Sequence, residues 1–147
     1  MRQKVLAFFL ATLPLLHAQD LTAPSSHWAK AQKLAAEGFQ PIDCFAGQLS
    51  VRGKHVKEQP FSVLKADERG VCCGALIRSS KTDQHGMFFV ESLAEGRYYV
   101  RFNSRGTEYV TRFAVVESYQ KCGNSHVELD FLNPSEAKIQ QFVDIHD

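Results

Sequence analysis

The sequence has no excess of charge of either sign: 17 Lys and Arg stand against 16 Asp and Glu in 147 residues, a net charge of +1 with His neutral. A near-neutral chain offers no overall electrostatic footprint for nucleic acid or for an anionic membrane surface. Long apolar runs are also scarce. Residues 5–16 form the one such run; it spans about a dozen residues and contains Pro14, whereas a membrane-spanning helix needs roughly twenty. No glycine-rich phosphate loop is present, since Gly38, Gly47, Gly53 and Gly74 do not form one, and no serine sits in G-x-S-x-G. The cysteines and histidines match no CxxC or HxxxH spacing, which argues against a metal site built from Cys44, Cys72, Cys73 or Cys122 with His55, His85 or His126. Internal repeats and low-complexity segments are absent as well.

What is present at the amino end reads as an export signal. Arg2 and Lys4 lead the apolar run, and Leu16-His17-Ala18 places a small residue before a polar stretch, so cleavage is expected after Ala18. Removing 18 of 147 residues leaves 129, and loss of Arg2 and Lys4 takes Lys and Arg from 17 to 15 against 16 acids, a mature net charge of −1. The expected product is a soluble secreted or periplasmic protein of one domain, large enough to bury its own core. All four cysteines lie after the signal, and an even count in an exported chain favours disulfides. Three pairings are open. Cys72 and Cys73 could join each other or reach out separately; a long-range bond from Cys44 to Cys122 is favoured, because both flank core strands.

Residues 19–24 read as a loose leader, and a helix is expected from Ser25 or Ser26 to about Glu37, with Trp28, Ala31, Leu34 and Ala35 on one face and Gly38 as its stop. Asn133-Pro134-Ser135-Glu136 has the form of a capping box, and Ile139, Phe142 and Val143 follow at helical spacing, so residues 133–147 are expected to hold a second short helix. Between them, over residues 42–132, the period is two. Phe45, Gly47, Leu49 and Val51 form one inward set, Tyr109, Thr111, Phe113 and Val115 another, and Val127, Leu129 and Phe131 a third. Residues 61–65 and 75–81 are weaker strand candidates. The expectation is an all-β fold, an antiparallel sandwich of about seven strands, flanked by a helix at each terminus.

The most specific segment is residues 82–102, Thr-Asp-Gln-His-Gly-Met-Phe-Phe-Val-Glu-Ser-Leu-Ala-Glu-Gly-Arg-Tyr-Tyr-Val-Arg-Phe. Asp83 and Gly86 frame a tight turn. A hairpin register summing to 188 would set Phe88 against Val100 and Val90 against Tyr98 on one side, with Phe89 against Tyr99 and Glu91 against Arg97 on the other. Leu93 and Gly96 would then fall in the connection, Leu93 plugging the core and Gly96 turning the chain.

The pattern T-D-x-x-G-x-F-x-V-x-x-L-x-x-G-x-Y-x-V resembles the carboxypeptidase regulatory-like domain, a transthyretin-like (prealbumin-type, Ig-like) β-sandwich. The match is specific over residues 82–102 and departs from the family around residues 57–61. The resemblance implies a non-catalytic accessory fold, found beside peptidases and in surface proteins, and supplies no catalytic residues. A related branch hydrolyses hydroxyisourate with clustered His and Arg and a terminal Tyr-Arg-Gly-Ser motif; this chain ends Asp144-Ile145-His146-Asp147 and lacks that motif.

The candidate binding face is the outward row of the expected hairpin, Phe89 and Tyr99 with Arg97 and Arg101, and with Arg105 and Arg112 nearby, a composition suited to a protein or glycan partner. The competing arrangement covers Phe89 and Tyr99 with a terminal helix carrying Trp28 or Phe142. His126, Glu128 and Asp130 share a strand face that is read as a solvated polar row rather than a cation site. No catalytic residue, cofactor, nucleic acid or membrane insertion is expected, and the chain is read as a monomer or small homo-oligomer. An oligomeric carrier of a small apolar ligand is the second reading; a hydrolase or thiol enzyme is the third.

Overall fold

A computed structural model describes residues 26–67, 69–90, 92–116, 122 and 125–143; the expected export signal at 1–18 lies outside the described residues. One helix and ten strands follow in order: α1 (Ser26–Ala36), β1 (Gln40–Ile42), β2 (Ala46–Val51), β3 (Lys54–His55), β4 (Pro60–Lys65), β5 (Leu76–Lys81), β6 (Met87–Phe89), β7 (Gly96–Ser104), β8 (Thr107–Val115), β9 (Ser125–Asn133) and β10 (Glu136–Val143). They build two sheets. The first has the order β1-β8-β7-β4-β5; the second has the order β10-β9-β2-β3, with β6 also paired to β2.

The inward alternation read from sequence places the core between these sheets. Phe45 and Leu49 of the β2 segment, Phe113 and Val115 of β8, and Val127, Leu129 and Phe131 of β9 are all buried. The Phe45 ring stacks on Phe113 with centroids 4.2 Å apart, and Phe113 stacks in turn on Tyr98 at 5.6 Å, so rings from both sheets interlock. Two hairpins close on two-residue Arg-Gly turns, Arg52-Gly53 between β2 and β3 and Arg105-Gly106 between β7 and β8. In both turns both residues have positive φ, the geometry that matches strand twist.

Several expectations are corrected. The sandwich has ten strands among the described residues, not seven, and its sheets are mixed, because β1 runs parallel to β8 and β2 parallel to β9. The expected carboxy-terminal helix is strand β10, paired antiparallel with β9. Asn133 is a turn residue rather than a helix cap: its Oδ1 accepts the Ser135 N–H at 3.0 Å, and its Nδ2 donates to Glu136 at 2.9 Å. Packing decides the strand form, since period two puts Ala137 and Ile139 against the core. With β1 and β10 in the sheets, the sandwich also extends past both ends of residues 42–132.

The hairpin summing to 188 does not form. β6 pairs with β2, Phe88 opposite Gly47 and Phe89 opposite Ala46, while β7 lies in the other sheet between β8 and β4. The chain crosses from one sheet to the other after Val90, through Ser92 at positive φ and the buried Leu93. Gly96 is the first residue of β7, opposite Val115, not a turn. Phe88 and Val90 still share the core with Tyr98 and Val100, because they meet across the sandwich instead of along one sheet.

Thr82 and Asp83 hold the preceding turn. The buried Thr82 hydroxyl donates to the Val56 carbonyl at 2.7 Å and accepts the Gln59 N–H at 2.8 Å, tying the β3–β4 link to β5. Asp83 Oδ1 accepts the N–H groups of His85 at 2.7 Å and Met87 at 2.9 Å, and Gly86 takes positive φ. Chiefly the Met87 bond, then the His85 bond, hold the Asp83 carboxyl below its ordinary value. A lowered carboxyl contributes stability above the unfolded pKa and loses it as pH falls through the folded one. Asp83→Asn is therefore expected to flatten the acid limb of stability below about pH 4, checked by urea midpoints from pH 2 to 7; an unchanged limb would contradict it.

The cysteines pair as Cys44–Cys122 and Cys72–Cys73, with no free cysteine among the described residues. The first bond ties the β1–β2 link to the residues before β9. No described helix is long and apolar enough to cross a membrane.

Candidate functional site

The structure separates the four residues of the face read from sequence. Tyr99 points out of the first sheet but is covered: Phe39 meets its ring edge-on at 6.0 Å, and its hydroxyl donates to the Gly70 carbonyl. Gly38, at positive φ, ends α1 with the bonds Phe39 N–H to Leu34 O and Gly38 N–H to Ala35 O, a paired closure that turns Phe39 back onto the sheet. Leu34, Phe39, Ala66, Tyr99 and Ala114 thus form a second, smaller core beneath the helix, with Cys72 and Cys73 against it. Arg97 is held by Glu37 at 2.7 Å, and its guanidinium and that of Arg112 lie 6.0 and 5.5 Å from the Phe39 ring centre. Arg101 pairs with Glu108 at 3.6 Å in an open polar groove.

The docked stripe of α1 differs from the expected one. His27 bonds Asp43 at 3.0 Å and Lys30 pairs with Glu95 at 3.1 Å, so His27, Ala31 and Leu34 lie toward the body, while Trp28 is half exposed. Trp28 and Phe142 are not the cover of Tyr99; Phe39 and Leu34 are.

Phe89 stands on the other sheet, and there the outer face is open. Three rows cross it. Phe89 is opposite Ala46, Ala46 lies beside His126, because Gly47 pairs with Val127, and His126 is opposite Phe142. The second row is Met87, Gln48, Glu128 and Gln140; the third is His55, Ser50, Asp130 and Lys138. With strands about 4.8 Å apart, each row is about 14 Å long. Phe89 is 56% exposed and Met87 and Phe142 40% each, against 8% for Tyr99. The His126 ring stacks on Phe142 with centroids 5.4 Å apart, and its Nε2 is 3.9 Å from Glu128.

Chemically this face is graded, apolar and aromatic at one end and hydrogen-bonding at the other. Around His55 a shallow cavity of about 240 Å³ is lined by Gln48, Ser50, Gly53, Glu128 and Asp130. Ser50 Oγ lies 3.3 Å from His55 Nδ1, yet the Asp130 carboxylate is turned to the Gly53 N–H at 3.0 Å and Gln48 Nε2 is 3.4 Å from the other imidazole nitrogen. The cluster is thus a polar network, without the carboxylate that would orient the imidazole of an acyl-transfer site. Among the described residues no three His, Cys, Asp or Glu side chains converge to hold a metal ion.

No protein-family model matches the chain, and no curated protein matches it. Among solved structures it is similar to sea bream transthyretin in complex with thyroxine, at 16% identity over 70% of this chain and 98% of that one, with a TM-score of 0.44. It is also similar to transthyretin from Sparus aurata, at 16% identity over 71% of this chain and all of that one, again with a TM-score of 0.44. The chain is a two-sheet β-sandwich on its own strand order.

Three features of the site escaped the sequence reading. Phe39 sits just past a helix stop, where no periodicity marks it. Thr82 was given no role beyond opening the motif and is a buried double hydrogen-bonder. The Phe142–His126 stack required β10 to be a strand; the Ala137–Ile139–Gln141 alternation was the available signal.

Proposed function

We propose that the chain is an exported, non-enzymatic binding module that works outside the cytoplasm and takes a partner protein or glycan on the outer face of β6, β2, β9 and β10. The row Phe89–Ala46–His126–Phe142 carries this reading: its two phenylalanines are exposed, with half-buried His126 and buried Ala46 between them, and it is bordered by amides and carboxylates, the composition of an apolar contact centre with a polar rim. The export signal at 1–18 and the Cys44–Cys122 bond support action in an oxidising compartment. The motif resemblance over 82–102 supports an accessory role, since it implies a fold without catalytic residues.

The test places a photoreactive residue at position 89 or 142 of the secreted protein and, as a comparison, at position 101 on the opposite face. A partner cross-linked from 89 and 142 is then purified and titrated against the intact protein. Phe89→Ser with Phe142→Ser is expected to weaken binding by about tenfold or more, as loss of central aromatic contacts does. Cross-linking only from position 101, or unchanged affinity in the double variant, would overturn the reading.

One observation favours the second reading, an oligomeric carrier of a small apolar ligand. β10 is an edge strand of 8 residues without proline, free in the described structure to pair with a second copy. Sedimentation velocity at micromolar concentration decides it; a monomer would count against the carrier.

A further inference from the structure

The two positive-φ hairpin turns lie at the same end of the sandwich, one from each sheet, and each carries an arginine: Arg52 at φ +51° and Arg105 at φ +53°. Between them opens a cleft of about 670 Å³, within the range of about 300–1,000 Å³ that small ligands occupy. Its cationic lining is Arg52, Lys54, Lys57 and Arg105, with His55 beside them. Tyr109 lines the same cleft, its ring stacked on Phe102 with centroids 4.9 Å apart. Ser104, Thr107 and Gln59 add hydroxyl and amide groups.

No carboxylate lines this cleft. Among the described residues none forms an ion pair with Arg52, Lys54, Lys57 or Arg105. The nearby carboxylates lie outside the lining: Asp130 accepts the Gly53 N–H, Glu108 faces Arg101, and Glu58 follows Lys57 without lining the cleft. Holding four cations together without an ion-pair partner is unfavourable, and a bound polyanion relieves that repulsion. The turns fix the two arginine backbones, which lowers the ordering cost of gripping an anion.

We propose that this cleft binds an anionic oligosaccharide, with sulfate or carboxylate groups on the Arg and Lys side chains and sugar hydroxyls on Ser104, Thr107 and Gln59. Three observations select this class. Of the two rings in the lining, Tyr109 is stacked on Phe102 and meets Phe131 edge-on at 5.6 Å, and His55 is hydrogen-bonded to Ser50 and Gln48, so neither is presented as an open stacking platform for a nucleobase. The site is concave, and its apolar residues Val51 and Val56 are packed against the core rather than protruding as in a lipid-surface contact. Beside the apolar Val51 and Val56, the neutral lining groups Gln59, Ser104 and Thr107 are hydrogen-bonders matched to sugar hydroxyls. This site lies apart from Phe89 and Phe142 and stands whether or not that face binds a partner.

The test is calorimetric titration of the full secreted chain with a heparin-derived hexasaccharide. Binding is expected, weakening as salt rises. Arg52→Asn with Arg105→Asn should weaken it by about tenfold or more, since each arginine contributes a charge-assisted contact. Asparagine tolerates positive φ, so both turns survive. Lys54→Gln with Lys57→Gln leaves the turns untouched and should weaken binding likewise. Lys33→Gln with Lys138→Gln removes equal charge elsewhere, and Phe89→Ser with Phe142→Ser disrupts the other face; both should leave the isotherm unchanged. The proposal is overturned if the Lys33 and Lys138 pair weakens binding as much as the cleft pairs, or if no hexasaccharide binding is seen. Equal or tighter binding of a thymidine oligonucleotide of matched charge, or of phosphatidylserine vesicles, would overturn it too.

Discussion

Gly47→Ala is expected to cost about 3 kcal/mol of unfolding free energy or more. Gly47 lies in the middle of the second sheet, opposite Val127 on one side and Phe88 on the other. An alanine Cβ at this position would fall on the Val127 carbonyl oxygen and lie 2.6 Å from the Val127 nitrogen, so the backbone of β9 must move away from β2. Backbone yields only by breaking ladder bonds, unlike the tip of a flexible side chain. Gly106 is the comparison. It has φ +80° with nothing within 4 Å, so Gly106→Asn, which suits positive φ, is expected to change stability by less than about 1 kcal/mol. Urea midpoints at unchanged slope measure both. Equal costs at the two glycines would contradict the close β2–β9 approach, and with it the parallel pairing at the centre of the sheet.

Removing the Cys44–Cys122 bond, as Cys44→Ala with Cys122→Ala, is expected to cost about 4 kcal/mol. The two residues are 78 apart in sequence, and closing a loop of that size restricts the unfolded chain by about that amount on the loop-entropy relation. Reductant should reproduce the loss in the parent protein and do nothing further to the variant. Cys72→Ala with Cys73→Ala is expected to change stability by no more than about 1 kcal/mol, because a bond between neighbours encloses almost no chain. If the two double variants lost the same amount, the long-range bond would not be what staples the sandwich.

Much of the core was legible, because alternation is a local property. It names the inward residues of β2, β8 and β9 without reference to partners, and most of them are buried, with Val51, Tyr109 and Thr111 half-buried. The partners themselves were not legible. Phe88 faces the core in the same way whether its strand lies beside β7 or across from it, so the alternation of residues 82–102 fitted a hairpin that the structure replaces with a crossover. The β10 segment failed for a related reason. Ile139, Phe142 and Val143 fit helical spacing, while Ala137 and Ile139 fit strand spacing, and only the open flank of β9 decides between them.

The functional surfaces were less legible than the fold. Phe89, Tyr99, Arg97 and Arg101 are close in sequence and belong to different sheets or to covered ground. Arg52 and Arg105 are 53 positions apart and share a cleft. A whole-chain charge near zero conceals that concentration, because acids such as Glu37 and Glu108 neutralise Arg97 and Arg101 elsewhere. Charge sums exclude a uniformly basic protein; they do not exclude a basic cleft.

α1 and Phe39 cover the ground around Tyr99 on the outer face of the first sheet, while Phe89 and Phe142 stand exposed on the outer face of the second. Solvent paramagnetic relaxation of the aromatic ring protons, measured with a soluble gadolinium chelate on the folded protein across a dilution series, tests it most directly. Strong enhancement is expected at Phe89 and Phe142 and little at Tyr99 and Phe39. Rings of Phe89 and Phe142 as protected as Tyr99 at every concentration would contradict it.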